Sequence, residues 1–209
     1  MKKYKIAVIP GDGIGKEVIP EGIRVLDAVA AQSGFSLEFE TFDWGCERFT
    51  STGKMMPDNG LDQIREHDAI YLGAVGYPGV PDHTSLWGLL IPIRRQFQQY
   101  VNVRPVRLFP GVPCPLKNRG PEDIDFVVVR ENNEGEYSEI GGRLHRGTDD
   151  EICVQESVFT RRGTDRILKY AFELAKKRRK QLTSATKSNG IVHTMPFWDE
   201  RVEIMAQHY

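Results

Sequence analysis

Long apolar runs are missing from this 209-residue chain. Nothing in it approaches the roughly 18 consecutive apolar residues needed to cross a bilayer. The first apolar stretch, Ile6 to Ile9, is too short for a secretory signal core and runs straight into Pro10-Gly11-Asp12-Gly13. Cysteine is scarce: Cys46, Cys114 and Cys153 lie far apart, with no Cys-x-x-Cys pair. An odd, scattered set argues against a disulfide framework. It fits a reducing, cytoplasmic setting and points to buried, inert thiols rather than a nucleophile. Neither sign of charge is in surplus, since 28 Lys and Arg against 29 Asp and Glu leave a net charge of -1. No global field therefore favours nucleic acid or a membrane surface as partner. Internal repeats and low-complexity linkers are also lacking. The composition is 40% hydrophobic and 27% charged, ordinary for a soluble domain, and the length suits one core or two small ones.

Lys5 to Ile9 reads as a buried strand, followed by a glycine turn. Val18, Gly22, Val25, Leu26 and Val29 then recur at helical spacing, with Pro20 near the helix start and Gly34 as its stop. Leu37 to Phe42 alternates like a strand, Asp58 to His67 reads as a short helix, and Ala69 to Gly73 as another buried strand. Strand and helix alternate through the first hundred residues, which argues for an α/β sheet. Residues 74 to 88 are rich in Gly and Pro and carry Tyr77, His83 and Trp87, as loops with binding groups do. A helix is expected from about Leu90 to Tyr100, an apolar strand from Asp125 to Arg130, and a half-exposed strand from Ile152 to Val158. Ile167, Leu168, Ala171, Phe172 and Ala175 form one stripe on a long helix ending in Lys176-Lys177-Arg178-Arg179-Lys180. Cations at a helix C-terminus meet the negative end of its dipole, so this run reads as a terminus rather than a polyanion site. Met195 to Tyr209 is helical in pattern.

Several segments carry groups able to do chemistry. Gly11-Asp12-Gly13-Ile14-Gly15 lies between strand and helix, where glycines permit a tight turn and helix-terminal N–H groups can meet an anion. It is GxGxG rather than GxGxxG, and Asp12 would repel a pyrophosphate, so a purely structural turn stands beside the binding reading. Arg94, Arg95, Arg104 and Arg130 offer guanidinium forks, which match carboxylates bidentately and suit a di-acid, with surface ion pairing as the alternative for each. Arg130-Glu131-Asn132-Asn133-Glu134-Gly135-Glu136-Tyr137 packs acids, amides and a phenol into one loop after a strand. A tyrosine there can act as a general acid beside cations. Thr183 to Gly190 is a second polar turn after an apparent strand, and its Lys187 suits a proton carrier. Either loop also reads as a solvated turn.

Five spaced motifs coincide: Ile-Pro-Gly-Asp-Gly-Ile-Gly-Lys-Glu-Val (9–18), Gly-Ala-Val-Gly (73–76), Arg94 ten residues before Arg104-Pro105, Val-Val-Arg-Glu-Asn-x-Glu-Gly-x-Tyr (128–137), and Thr-Ser-Ala-Thr-Lys-Ser-Asn (183–189). In order and spacing the set resembles the isocitrate/isopropylmalate dehydrogenase family. Residues 86–90, 100–116 and 155–163 look like its tartrate and D-malate dehydrogenase branch.

That resemblance implies an α/β fold that is not a standard Rossmann domain. Residues 1–100 would belong to the large domain and 101–209 to the small one, with an arm at about 138–160 crossing to the partner of a homodimer. It implies an NAD-dependent decarboxylating dehydrogenase, cytoplasmic, using Mg2+ or Mn2+, with no nucleic acid or membrane partner. Ile14 and Ala74 would lie beside the cofactor, and Asn189 near substrate and nicotinamide. Arg94, Arg104 and Arg130 would grip the substrate carboxylates. Tyr137 would protonate the enol left after loss of CO2. Lys187 would reach across the dimer interface and help take the hydroxyl proton.

No Ser or Thr lies between Trp87 and Arg94 to meet a third carboxylate, which disfavours isocitrate, and the bulk of Trp87 disfavours isopropylmalate. D-malate, going to pyruvate and CO2, and tartrate are the substrates left. The family's metal-ligating aspartates and adenosine-binding loop are expected in a segment after Tyr209. The 209 residues alone are therefore expected to be poorly stable and inactive; the alternative is a catalytically dead subunit or dimer-forming interaction fragment.

Overall fold

Strand and helix alternate through the first part of the chain in the computed structural model, which describes residues 2–209. The chain divides into two compact units, one through Phe97 and one from Gln98.

In the first unit β1 (Lys2–Gly11), β2 (Phe35–Thr41) and β3 (Ala69–Ala74) form a parallel sheet ordered β2-β1-β3. Ala7, Val8 and Ile9 of the central strand are all buried, as in a parallel strand covered on both faces. α1 (Gly15–Ser33) makes the crossover and stops at Gly34, whose left-handed φ of 74° and N–H bond to the Ala30 carbonyl close the last turn. The helix turns a different face inward from the one its valines suggest. Gly15, Ile19 and Ala30 are buried, whereas Val18, Val25 and Val29 are exposed. Small residues explain this: a Cβ on Gly22 would fall 1.8 Å from the Tyr71 hydroxyl oxygen, so the helix rides close over β3 on its glycine and alanine side.

α2 (Cys46–Thr52) adds to the elements expected from sequence, and the helix expected over 58–67 contracts to α3 (Gly60–Ile64). The Gly/Pro-rich stretch turns helical at α4 (Asp82–Ser85), continues through a π-helical turn at Leu86–Leu90, and ends as α5 (Ile91–Gln96). This helix therefore starts and finishes earlier than the 90–100 expectation, and the left-handed backbone at Gln98 lies just beyond its end. Leu89 and Ile93 join Ala7, Ile9, Trp44, Met55 and Ile64 in one core.

In the second unit β4 (Val101–Arg107) runs antiparallel to β5 (Asp125–Glu131), with Val101 opposite Glu131 and Arg107 opposite Asp125. β4 was not among the elements expected from sequence; it contains Pro105, which an edge strand tolerates. β6 (Gly141–Leu144) and β7 (Ile152–Gln155) form a separate hairpin, exposed at every residue. The half-exposed strand expected to reach Val158 is thus shorter and fully exposed, and Val158 instead bridges Gly135. The strand expected before Thr183 does not form, and residues 181–187 carry no regular structure.

α6 (Arg161–Lys177) buries Ile167, Leu168 and Ala171. Its Arg166 lies 3.8 Å from Glu131 at one end of β5, and Arg178, just past the helix, lies 2.8 Å from Asp125 at the other. Twelve helical residues span about 18 Å and six strand residues about 20 Å, so α6 lies antiparallel along β5 with matched ends. The basic run at its terminus is therefore partly consumed by the fold, and Arg178 holds the Asp125 carboxyl below its usual range.

α7 (Thr194–Ala206) is tied to α6 by Arg201, buried and bidentate to Asp165 at 2.7 and 2.9 Å. Among the described residues no helix is long and apolar enough to cross a membrane.

Arg201 is buried, whereas Asp165 is 30% exposed and has Arg161 at 3.7 Å, so losing Arg201 leaves a carboxylate partly compensated by water and a second cation. Arg201→Met is expected to cost about 2 kcal/mol in urea unfolding, the worth of hydrogen bonds to a charged group; a loss under about 0.5 kcal/mol, typical of an exposed pair, would contradict this role.

Candidate functional site

The glycine turn is occupied by its own chain. Asp12 is buried, and its carboxylate accepts from the Cys46 N–H at 2.9 and 3.0 Å, the Gly76 N–H at 3.1 Å and the Glu47 N–H at 3.4 Å. Burial pushes its carboxyl up, but the N–H groups of Cys46, Gly76 and Glu47 prevail and hold it below the usual range. Asp12 thus ties the end of β1 to the start of α2 and to the segment after β3. The N–H groups of Gly15, Lys16, Glu17 and Val18 bond to carbonyls of Asp12, Gly13 and Ile14, so these four donors are already used within the turn. A Cβ on Gly11 would sit 2.0 Å from the Ala74 oxygen, and one on Gly15 2.1 Å from the Pro10 oxygen. These glycines serve chain-on-chain packing, and the structural alternative for the turn prevails.

Ile14 projects from this turn, 58% exposed, and Ala74 ends β3, where its carbonyl accepts from the Asp12 N–H. Both stand at the C-terminal edge of the parallel sheet. Cys46 is fully buried, and burial, followed by the adjacent Asp12 carboxylate, pushes its thiol up to about 11. It fits the inert-thiol expectation. Cys153 does not, being exposed on β7, and Cys114 is half-buried. Also in the first unit, Trp87 lies in the π turn with the Arg95 guanidinium 4.9 Å from its ring, and Arg94 stands half-buried near the end of α5.

The second unit brings three of the expected site residues together. Arg104 pairs with Val128 across the β4–β5 ladder, and side chains two apart on a strand share a face. Arg104 and Arg130 are therefore diagonal neighbours on one face, about 7–8 Å apart at the backbone. Tyr137 folds back so that its ring centre lies 5.5 Å from the Arg130 guanidinium carbon. The loop between them is built by its own acids. Glu131 accepts from the N–H groups of Asn133 (2.9 Å) and Glu134 (2.6 Å). Glu134 accepts from the Thr160 N–H (2.8 Å) and hydroxyl (2.6 Å), and Thr160 in turn caps α6 at Gly163. These acids shape the loop. A cavity of about 760 Å³ opens beside it, with Arg130, Tyr137 and residues 183–186 in its wall.

The Thr183 to Gly190 segment is pinned to α7. Thr186 donates to the Asp199 carboxylate at 2.9 and 3.0 Å, and the Trp198 indole N–H donates to the Ser184 hydroxyl at 3.1 Å. Lys187 and Asn189 are both exposed, and the Lys187 carbonyl accepts from Gly190 and Ile191 in the following turn. The sequence did not mark Asp12, Asp199 or Arg201 as structural ties, since their partners lie 13 to 64 residues away. Such residues carry that signal only once their partners are known. Among the described residues no group of three or more His, Cys, Asp or Glu is arranged to hold a metal ion.

A parallel sheet whose strand ends carry the glycine turn, and a second unit holding paired arginines against a phenol, agree with the sequence profile of the isocitrate/isopropylmalate dehydrogenase family. That profile matches residues 5–209, and the chain belongs to this family. Within it, the chain is 66% identical over 212 aligned residues to the D-malate dehydrogenase [decarboxylating] of Escherichia coli (strain K12), covering 100% of this chain and 59% of that protein. It is 64% identical to the tartrate dehydrogenase/decarboxylase of Pseudomonas putida, covering 99% and 57%. The isocitrate dehydrogenase structure from Methylococcus capsulatus superposes with a TM-score of 0.81 at 30% identity, over 99% of this chain and 57% of that one. The chain spans less than two thirds of the length of each of these relatives. The fold is accordingly the α/β, isocitrate/isopropylmalate dehydrogenase-like one.

Asp12→Ala leaves buried N–H groups without an acceptor and is expected to destabilise the protein by about 3 kcal/mol at pH 7. The depressed carboxyl contributes its stability above the unfolded pKa of about 4 and loses it as pH falls through the lower folded value. Urea unfolding of both proteins from pH 7 to pH 2.5 should show the gap narrowing below about pH 4; a pH-independent gap would assign the loss to packing alone.

Proposed function

We propose that these residues belong to an NAD-dependent decarboxylating dehydrogenase acting on a small 2-hydroxy dicarboxylic acid, D-malate or tartrate. The observation that carries this is the shared face of Arg104 and Arg130 with the Tyr137 phenol against Arg130. Two guanidinium forks on one face suit the carboxylates of a short di-acid. Arg94, on α5, is assigned the same task. The 209 residues span 57–59% of the two curated relatives, so the activity is assigned to the whole protein.

The exposed Ile14 side chain and the end of β3 at Ala74 offer an apolar ledge suited to a flat ring. This apolar edge is assigned to the ring of NAD, and Asn189 to the nicotinamide side. When bound, NAD+ accepts the hydride from C2 of the substrate. Lys187 receives the hydroxyl proton. The arginines keep the carboxylates in place while the C3–C4 bond of D-malate breaks and CO2 leaves. Tyr137 then delivers its phenolic proton to C3, giving pyruvate. Mg2+ or Mn2+ belongs to this reading, but the described residues do not make a metal centre.

Trp87, held beside Arg95, is assigned to restricting the pocket to short acids. A homodimer is favoured by the β6–β7 hairpin, which exposes Leu144, Ile152 and Val154, with Ile140 just before it. A cytoplasmic location agrees with the three unpaired cysteines.

Steady-state rates of the full-length protein test the assignment. Tyr137→Phe keeps the ring on Arg130 and removes the proton; it should lower kcat for D-malate about 100-fold with little change in KM. Trp87→Gly should admit 3-alkylmalates. Full activity in Tyr137→Phe would remove the phenol from the reaction, and an unchanged substrate range in Trp87→Gly would remove Trp87 from specificity.

A further inference from the structure

The proton carrier assigned above sits on a segment with no ladder to hold it. Among the described residues, 181–187 pair with no strand, and Lys187 is exposed. A lysine has a long flexible stem, so where its ammonium can reach depends first on where its backbone is fixed. Two hydrogen bonds on alternate residues fix it. Ser184 accepts from Trp198 at 3.1 Å, and Thr186 donates to Asp199 at 2.9 and 3.0 Å. Trp198 and Asp199 are consecutive on α7, and Ser184 and Thr186 are two apart on the segment. The two bonds turn the Ser184 and Thr186 side chains to α7, and Lys187, the next residue, is exposed. On the other side the Lys187 carbonyl closes a turn by accepting from Gly190 (3.0 Å) and Ile191 (2.9 Å). α7 is itself anchored to α6 through the bidentate pair of buried Arg201 with half-buried Asp165, and Trp198 packs edge-on against Phe159 at 6.0 Å.

We infer that Asp199 and Thr186 are positioning residues for the reaction: a carboxylate–hydroxyl clamp that sets the register of the 184–187 segment and so directs Lys187 outward toward the substrate it serves. A one-residue slip of this segment would carry Lys187 to the place Thr186 holds beside Asp199. The segment has no strand partner to prevent that slip, so the Thr186–Asp199 bond, with the Ser184–Trp198 bond beside it, sets the register. This inference rests on the proposed role of Lys187. Neither Asp199 nor Thr186 touches the reacting atoms, so the clamp acts on the geometry of proton transfer and not on the holding of carboxylates.

The test uses the full-length protein with D-malate, NAD+ and Mn2+, measuring kcat, KM and the pH–rate profile. Thr186→Val removes the donor at constant shape and should lower kcat about 10- to 100-fold, since small misplacements of a catalytic group cost rates of this order. KM for D-malate should change less than about threefold, and the limb of the pH–rate profile that reports Lys187 should move. Thr186→Ser keeps the hydroxyl and should restore kcat. Asp199→Ala should reproduce Thr186→Val, and Asp199→Asn, which keeps an acceptor oxygen, should recover most of the rate. If Asp199→Ala fails to fold, the Thr186→Val and Thr186→Ser pair decides. If Thr186→Val keeps kcat and pH profile while Lys187→Met loses activity, the clamp is overturned and the role of Lys187 stands. If Lys187→Met keeps full activity, the assigned role of Lys187 fails and the clamp falls with it.

Discussion

The register of the β4–β5 ladder is the constraint on which the proposed site depends. Arg104 faces Val128, so Arg104 and Arg130 must share a face, and a slip of one residue would send one arginine to the opposite side. The register is not left to two short strands alone. α6 lies along β5 with an arginine near each of its terminal acids, Arg166 by Glu131 and Arg178 at Asp125. The loop after β5 is locked by Glu131 and Glu134 through backbone N–H groups, so the chain reaches Tyr137 along one path and sets its ring against Arg130. Charge that looks superficial in the sequence thus sets the path of the backbone, and the backbone brings the cations and the phenol together.

The first unit solves a similar problem with a buried carboxylate. Asp12 collects N–H groups from segments 34 and 64 residues away and so ties three parts of the first unit together. The glycines around it permit close packing of backbone on backbone, at Gly11 against Ala74 and at Gly15 against Pro10. The side chain the turn presents outward is Ile14, which is apolar. A motif that resembles an anion cradle by composition is by geometry a structural knot with an apolar edge.

Much of this was legible in the residues. The apolar runs marked β1, β3 and β5; Gly34 marked the end of α1; and the stripe on α6 marked its buried face. The misses have physical causes. The inward face of α1 is chosen by Gly15, Gly22 and Ala30, which permit close approach, so the valine periodicity pointed outward. Short helices such as α2 and α3 have too few turns to show a period. In the proposed site, family motifs picked out Arg104, Arg130 and Tyr137, which the second unit brings near one another, because spacing survives in sequence. Asp12, Thr186 and Asp199 were not read as structural ties, because a hydrogen bond across 13 or 64 residues leaves no local pattern.

The most direct measurement is a crystal structure of the full-length protein with D-malate bound. The assigned site predicts the substrate carboxylates within hydrogen-bonding distance of the Arg104 and Arg130 guanidinium groups, with the Tyr137 hydroxyl beside C3. D-malate bound elsewhere, with Arg104 and Arg130 turned to solvent and Tyr137 remote from the ligand, would contradict it.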